Sequence, residues 1–213
     1  MRKDSNLIPE LHDLSQEQIW DKIANRWEEF RKNPILEVQD FLKKQKGRVL
    51  DMGCGTGRNF IKDKNLEIYG LDFSKGMLKH AEEKIKKEKI NAYLVKSEFT
   101  NLPFQDAFFN SAIFIRSLHC IPDEKDRLKA LQELYRVLKP DSKAFIEVWS
   151  KNHERIKHKE SGKNVPWTIN GERIFRYYYI YKKEEIENLV KKAGFKILSS
   201  KEDKNISLIV IKE

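Results

Sequence analysis

The sequence predicts a doubly wound α/β domain: a mostly parallel sheet of seven strands, with an N-terminal helical cap and a C-terminal antiparallel hairpin. Three observations carry that expectation. Short apolar segments alternate with amphipathic, helix-length segments between residues 47 and 150. Right-handed crossovers turn such an alternation into a parallel sheet with helices on both faces. A glycine-rich turn, Gly53-Cys54-Gly55-Thr56-Gly57, directly follows the first strand. Two last apolar segments are separated only by a polar turn around residues 203–205, as in a hairpin.

The elements follow in order. Residues 15–30, SQEQIWDKIANRWEEF, place Ile19, Trp20, Ile23, Trp27 and Phe30 at helical intervals, which makes an amphipathic helix. Ser15, with Gln18 three residues on, forms a capping box at its start. Pro34 interrupts, and residues 35–44 make a second helix. GRVLDM is the first strand, and the segment after Gly57 suits a helix. LEIYGLD is the second strand, residues 75–89 a strong helix, and NAYLVKS the third strand. Residues 109–116 are a near-continuous apolar run, as a strand buried on both faces requires. Residues 124–138 form a helix ended by Lys139-Pro140, and SKAFIEVW is the fifth strand. Residues 183–193 are a helix stopped by Gly194, and FKILSS and ISLIVIKE close the sheet.

With 213 residues, the chain suits one domain with additions, since domains average roughly 150 residues. No internal repeat or low-complexity linker divides it. It is read as a single domain, 1–213, made of a cap (1–45), a core (46–150), an insertion (151–181) and a C-terminal helix with hairpin (182–213). Hydrophobic residues make up 39% and charged residues 35%, and mean hydropathy is −0.69, a globular composition wrapped in charge. The longest uncharged apolar run, residues 112–115, is far short of the ~20 residues of a membrane span. The first residues lack the apolar core of a secretory signal. Cys54 and Cys120 make neither a disulfide framework nor a zinc site, so a reducing cytoplasm is the expected location. The net charge of +9 fits a polyanionic partner, and equally a Lys/Glu-rich surface.

The glycine turn lets the backbone approach a ligand with no Cβ in the way. Asp72, at the end of the second strand, is where such folds place a carboxylate for ribose hydroxyls. Both features also fit a dinucleotide. Two details favour S-adenosyl-L-methionine instead. The spacing is Gly-x-Gly-x-Gly, with Arg58 where a dinucleotide loop carries its third glycine. The strand ends in Asp51, a carboxylate that repels a pyrophosphate and attracts the ammonium of a methionine moiety.

At this point VLDMGCGTG, YGLDFS, KSEFTNLPFQDAFFNSAIFIRSLHCI and LYRVLKPDSKAFIEVW, in that order, resemble the motifs of class I S-adenosylmethionine-dependent methyltransferases. The resemblance covers residues 46–150 and implies the Rossmann-like methyltransferase fold. It implies that Asp51, Gly53, Gly55 and Gly57 line the methionine end, and that Asp72 takes the ribose with Phe73 and Met77 nearby. Glu98 and Phe99 would border the adenine, and Arg116 the end of strand four. The chain departs from the family at Glu98-Phe99, where Asp-Ala is usual, at Asn110, and at Asp141-Ser142, which replaces two glycines. Phe73 and Met77 also read simply as core.

The last third bears on the acceptor. Residues 151–163 carry five Lys/Arg against two acidic residues, and Val165-Pro166-Trp167 and Arg176-Tyr177-Tyr178-Tyr179 follow. Cations beside stacking surfaces are what RNA readers use. On composition alone the same segment also reads as a solvated loop and a buried aromatic strand. Together with Trp20-Asp21-Lys22-Ile23-Ala24, Phe30-Arg31, Pro34 and Leu118-His119, it is similar to the tRNA wobble-uridine methyltransferases, which esterify 5-carboxymethyluridine in the anticodon loop. That likeness implies a tRNA anticodon loop as partner, with Arg31 holding the acceptor carboxylate and His119 orienting the base. It implies Trp149, Asn152, Trp167, Arg176 and Tyr177 around the acceptor, and a small zinc-binding activator protein along the third-strand edge. Arg31 also reads as a surface arginine at a helix end. No metal site is expected, since adjacent His119 and Cys120 close none. The alternatives are methylation of a quinone-like small molecule, whose enzymes usually lack this last segment, and a non-catalytic scaffold of the same fold.

Overall fold

The computed structural model describes residues 14–153, 162–169 and 171–213. Helix α1 (Gln16–Phe30) begins with the expected capping box: Gln18 N donates to Ser15 Oγ at 3.3 Å, and Ser15 N to Gln18 Oε1 at 2.9 Å. Helix α2 (Leu36–Leu42) follows after Pro34. The core then runs β1 (Gly47–Met52), β2 (Leu66–Asp72), α3 (Lys75–Glu88), β3 (Ala92–Lys96) and β4 (Phe109–Ile115). It continues with α4 (Glu124–Val137), β5 (Leu138–Trp149), β6 (Lys163–Ile169), β7 (Glu172–Tyr178), α5 (Lys183–Lys192), β8 (Lys196–Glu202) and β9 (Asn205–Ile211).

Seven of these strands form one sheet in the order β3-β2-β1-β4-β5-β9-β8. All its neighbours pair in parallel except at β9, which lies antiparallel to both β5 and β8. The C-terminal pair is thus the expected hairpin, and it enters the sheet with its second strand innermost. Strands β6 and β7 form a separate antiparallel pair.

One expected element does not form. Residues 58–65 after the glycine turn are turn and coil, not helix. Even a fully helical stretch of that length would reach only about 12 Å at 1.5 Å per residue, leaving nothing for the turns into and out of it. Phe60 is instead buried beneath Gly57 and Gly70. The sheet face left bare is covered by α2, whose Val38, Phe41 and Leu42 join Val49, Ile113 and Phe145 in one cluster. The opposite face packs on α4 and α5 through Leu131, Leu134, Val137, Ile186 and Val190.

The start of β5 also differs in detail. The strand takes in Lys139-Pro140, and its register against β4 shifts between Phe109 and Ser111. Asp141 sits there at φ +62°, a left-handed conformation that Asp adopts more readily than bulkier residues. This is the position where the resemblance implies two glycines. The cap is a third cluster: Ile19, Trp20, Ile23 and Ala24 of α1 pack on Met77 of α3 and on Ile174 and Tyr178 of β7. The β6–β7 pair of the insertion therefore packs against the cap helix. No helix among the described residues is long and apolar enough to cross a membrane.

Candidate active site

A cleft opens where β1 and β4 part company, at the carboxyl ends of the parallel strands, the point at which such sheets bind ligands. Gly53 N and Cys54 N donate to Leu71 O at 2.7 and 2.9 Å, tying the glycine turn to β2. Gly53 has φ +79°, and a Cβ there would stand 2.4 Å from Ser117 Oγ, so glycine is required on both counts. Asp72 accepts from Gly55 N at 2.9 Å through Oδ2 and from Ser74 N at 3.0 Å through Oδ1. Around a space of about 830 Å³, part of it open to solvent, stand Gly53, Gly55, Asp72, Phe73, Met77 and Phe99. Asp51 and Gly57 are not in that lining; Asp51 is buried, and its Oδ2 has no partner among the described residues. Glu98 lines an adjoining recess with Ser15, Gln16, Glu17 and Pro122, which shares Phe73, Phe99 and Cys120 with the main cleft.

The other wall comes from the cap and from the ends of β4, β5 and β7: Trp20, Trp27, Arg31, Arg116, His119, Trp149 and Tyr178. The Arg31 guanidinium lies 5.2 Å from the centre of the Trp27 ring. Arg58 Nε donates to Asn33 O at 2.5 Å, and burial, with Arg116 and Arg31 nearby, lowers its pKa to about 10. Arg116 is paired with Glu147. His119 is buried, and its Nδ1 accepts from Trp149 N at 3.3 Å, which leaves the ring proton on Nε2. Burial, then Arg116 and Arg176, hold its pKa down to about 3, so the ring is neutral. The Trp149 and Tyr178 rings stack with centroids 4.6 Å apart.

Four residues expected around the acceptor do not reach the cleft lining. Asn152 turns back to the hairpin, its N donating to Ser150 Oγ and its Nδ2 to Glu202 Oε1. Arg176 is 4% exposed and lies behind Tyr178, donating to its hydroxyl at 2.7 Å and stacking on Trp167 with its carbon 4.5 Å from the ring centre. Trp167 packs on Trp27 and Phe30. Tyr177 points the other way, its hydroxyl donating to Pro122 O. Conversely, Trp20, Trp27, Arg58, Cys120 and Tyr178 line the cleft without having been expected there. The two tryptophans read as core from their spacing, and only the position of α1 across the cleft distinguishes lining from core.

A family model described as a methyltransferase domain matches residues 49–141. The tRNA (carboxymethyluridine(34)-5-O)-methyltransferase of Schizosaccharomyces pombe is 28% identical over 215 residues, covering 88% of this chain and 91% of that protein. A Xenopus tropicalis protein of the same description is 33% identical over 144 residues, or 67% of this chain, and the chain spans 22% of that protein's length. A crystal structure of an S-adenosylmethionine-dependent methyltransferase from Clostridium acetobutylicum shares the fold, with TM-score 0.69, 18% identity, and coverage of 91% of this chain and 99% of that one. So does a methyltransferase solved in complex with the Haloferax volcanii activator Trm112, with TM-score 0.64, 16% identity, and coverage of 90% and 96%. The chain is a class I S-adenosylmethionine-dependent methyltransferase.

The methyltransferase's own residues fit the cofactor, S-adenosyl-L-methionine. A buried carboxyl oxygen without a partner precedes the loop, and a Cβ on Gly55 would meet nothing within 4 Å, so there is room above the turn. Asp51 is pushed up to about 8 by burial and then by Asp72, and burial raises Asp72 to about 6 against the pull of three amide donors. A cationic amino group beside Asp51 favours its ionised form. Binding should therefore release a proton. S-adenosylhomocysteine affinity should rise by up to about tenfold per pH unit between about 6 and 8 and flatten above. Calorimetry in buffers of different ionisation enthalpy reads the proton directly. Asp51→Asn should abolish the release, and a wild-type protein that released none would contradict the assignment.

Proposed function

We propose that this methyltransferase esterifies a carboxymethyl-type modified wobble uridine of tRNA. The observation that carries this reading is the chemistry of the acceptor wall: three arginines and no base. Arg31, Arg58 and Arg116 line the cleft. Asp72, raised to about 6, stands on the opposite, cofactor wall with both oxygens taken by backbone amides. The other titratable groups of the cleft are poorly suited to taking a proton near neutrality. His119 is held at about 3, and burial pushes the Cys54 and Cys120 thiols and the Tyr178 phenol far up. A hydroxyl or amine acceptor needs a base. A carboxylate, with an ordinary pKa near 4, is an anion already. It requires only dehydration, alignment and a cation to hold it.

In this reading the chain's residues divide the work. Asp51, Gly53, Gly55 and Asp72 would hold the cofactor, with Phe73, Met77 and Phe99 offering an apolar wall for its adenosine. When bound, the cofactor supplies a methyl group on a sulfonium, an electrophile that an anionic oxygen can attack without assistance. Arg31 grips the acceptor carboxylate with a planar fork. His119 Nε2–H donates to the acceptor base, and Trp20, Trp27 and Trp149 exclude water. Arg116 keeps the end of β4 in place through Glu147. Arg176 and Trp167 support this wall from behind.

Supporting the nucleic-acid partner are the cleft's cationic rim, the likeness to the S. pombe enzyme over most of both chains, and the basic segment 151–163, of which residues 154–161 lie outside the described residues. Mass spectrometry of tRNA nucleosides after incubation with labelled cofactor should place the label on an esterified wobble uridine. In the same assay, neutralising Lys157, Lys159 and Lys163 should weaken tRNA binding and flatten its salt dependence, because fewer counterions are released. Label recovered on a small metabolite and none on tRNA would sink the reading. The activator partner would take the outer edge of β3, which among the described residues pairs only with β2 and exposes Tyr93 beside a groove with α3. An incoming strand adds to such an edge by main-chain hydrogen bonds.

A further inference from the structure

Helix α1 carries the acceptor wall, yet one of its faces is pinned to the cofactor side. Glu17, Asp21 and Asn25 recur at four-residue intervals, so they form one stripe along the helix. Each bonds to the core. Glu17 Oε1 is 2.6 Å from Lys96 Nζ, on the residue that pairs with Asp72 across the β2–β3 ladder. Asn25 Oδ1 is 2.8 Å from His80 Nε2 on α3. Asp21 Oδ1 accepts two bonds, from Ser74 Oγ at 2.6 Å and from Gly76 N at 2.8 Å. The approach is close: a Cβ on Gly76 would stand 3.0 Å from the Ala24 Cβ and 3.1 Å from Asp21 O.

Ser74 is the junction. Its N donates to Asp72 Oδ1, its Oγ donates to Asp21, and the same Oγ accepts from Met77 N at 3.1 Å to cap α3. Asp72 continues the chain to Gly55 N. A hydrogen-bonded path therefore runs from the cap helix through Ser74 and Asp72 into the glycine turn. Whatever orders the turn also holds α1, and α1 brings Trp20 and Trp27 to the cleft, with Arg31 at its C-cap.

We infer that Asp21 is a positioning residue that couples cofactor binding to closure of the acceptor wall, so that the cofactor loads first and the acceptor site forms around it. The inference concerns the cofactor and holds whatever the acceptor is. Amide hydrogen exchange with S-adenosylhomocysteine tests it. In the wild-type protein the ligand should slow exchange both in residues 53–57 and across α1. In Asp21→Ala it should still slow the turn but no longer α1, and its Kd should rise five- to twentyfold. Asp21→Asn keeps the oxygen that both donors use, so it should restore protection of α1 and stay within about threefold of wild-type affinity. A purely structural role would lower protection of α1 with and without ligand alike. Ligand-dependent protection of α1 that survives in Asp21→Ala, or that is absent from the wild type, overturns the inference. Should Asp21→Ala fail to fold, Ser74→Ala cuts the path from the other side and must give the same split between turn and helix.

Discussion

Arg31→Ala should cut kcat/KM for the tRNA acceptor by a factor of ten to a thousand, about 1.4–4 kcal/mol, while S-adenosylhomocysteine affinity stays within about twofold. The reason is that the acceptor is held by charge and direction, with no proton to remove. Arg31→Lys should recover only part of the loss, since an ammonium is a point charge and cannot form the two-pronged pair. With the cofactor saturating, so that the Asp51 proton is already released, the pH profile should rise with ionisation of the acceptor carboxyl and then plateau through neutrality. His119, held near 3 by burial, gives no limb there. His119→Ala should cost less than Arg31→Ala, because its role is one donated hydrogen bond. Two results would count against this scheme. Loss of cofactor affinity in Arg31→Ala would assign the arginine to the methionine carboxylate. A basic limb near neutrality that vanishes in His119→Ala would call for an acceptor that must be deprotonated.

The second large effect is expected at Asp72. Asp72→Ala should weaken S-adenosylhomocysteine binding by roughly 1–3 kcal/mol, read by calorimetry, through lost charge-assisted hydrogen bonds. The structure adds that asparagine is no conservative replacement. Both carboxylate oxygens accept from backbone amides, Gly55 N and Ser74 N. An asparagine must turn its NH₂ toward one of those N–H groups and leave a buried donor facing a donor. Asp72→Asn should therefore weaken binding about as much as alanine does. Near-wild-type affinity in Asp72→Asn would mean that the loop does not depend on this carboxylate.

Much of the fold was legible because its signals are local. The Ser15–Gln18 capping box, the alternation of strands and helices, and the polar turn of the last hairpin each lie within a few residues. The missing helix after Gly57 was legible in principle as well, from the shortness of residues 58–65 and their Asn and Asp content, but the alternation of strands and helices pointed the other way. On the site, the glycine turn and Asp72 announced themselves by spacing. The acceptor wall did not. Arg176 and Tyr177 are neighbours in sequence, and a strand sends neighbours to opposite faces. Only the pairing of β7 with β6 and its packing on α1 decide that Arg176 goes inward while Tyr177 faces out. Asn152 was misplaced for a similar reason: its partner, Glu202, lies on a strand 50 positions away.

The bond from Tyr177 N to Gln16 Oε1 joins residues 161 positions apart. Closing a loop of that length costs about 4.5 kcal/mol in chain entropy. The ladders among β1, β2 and β3, by contrast, join near neighbours in the chain. The nucleotide half is therefore expected to assemble early and the cap to dock on a sheet already built, so amide exchange on warming should rise in the cap before it rises in β1, β2 and β3. On warming, the acceptor wall should loosen first, and through the Asp21–Ser74–Asp72 path the grip on the cofactor should weaken with it.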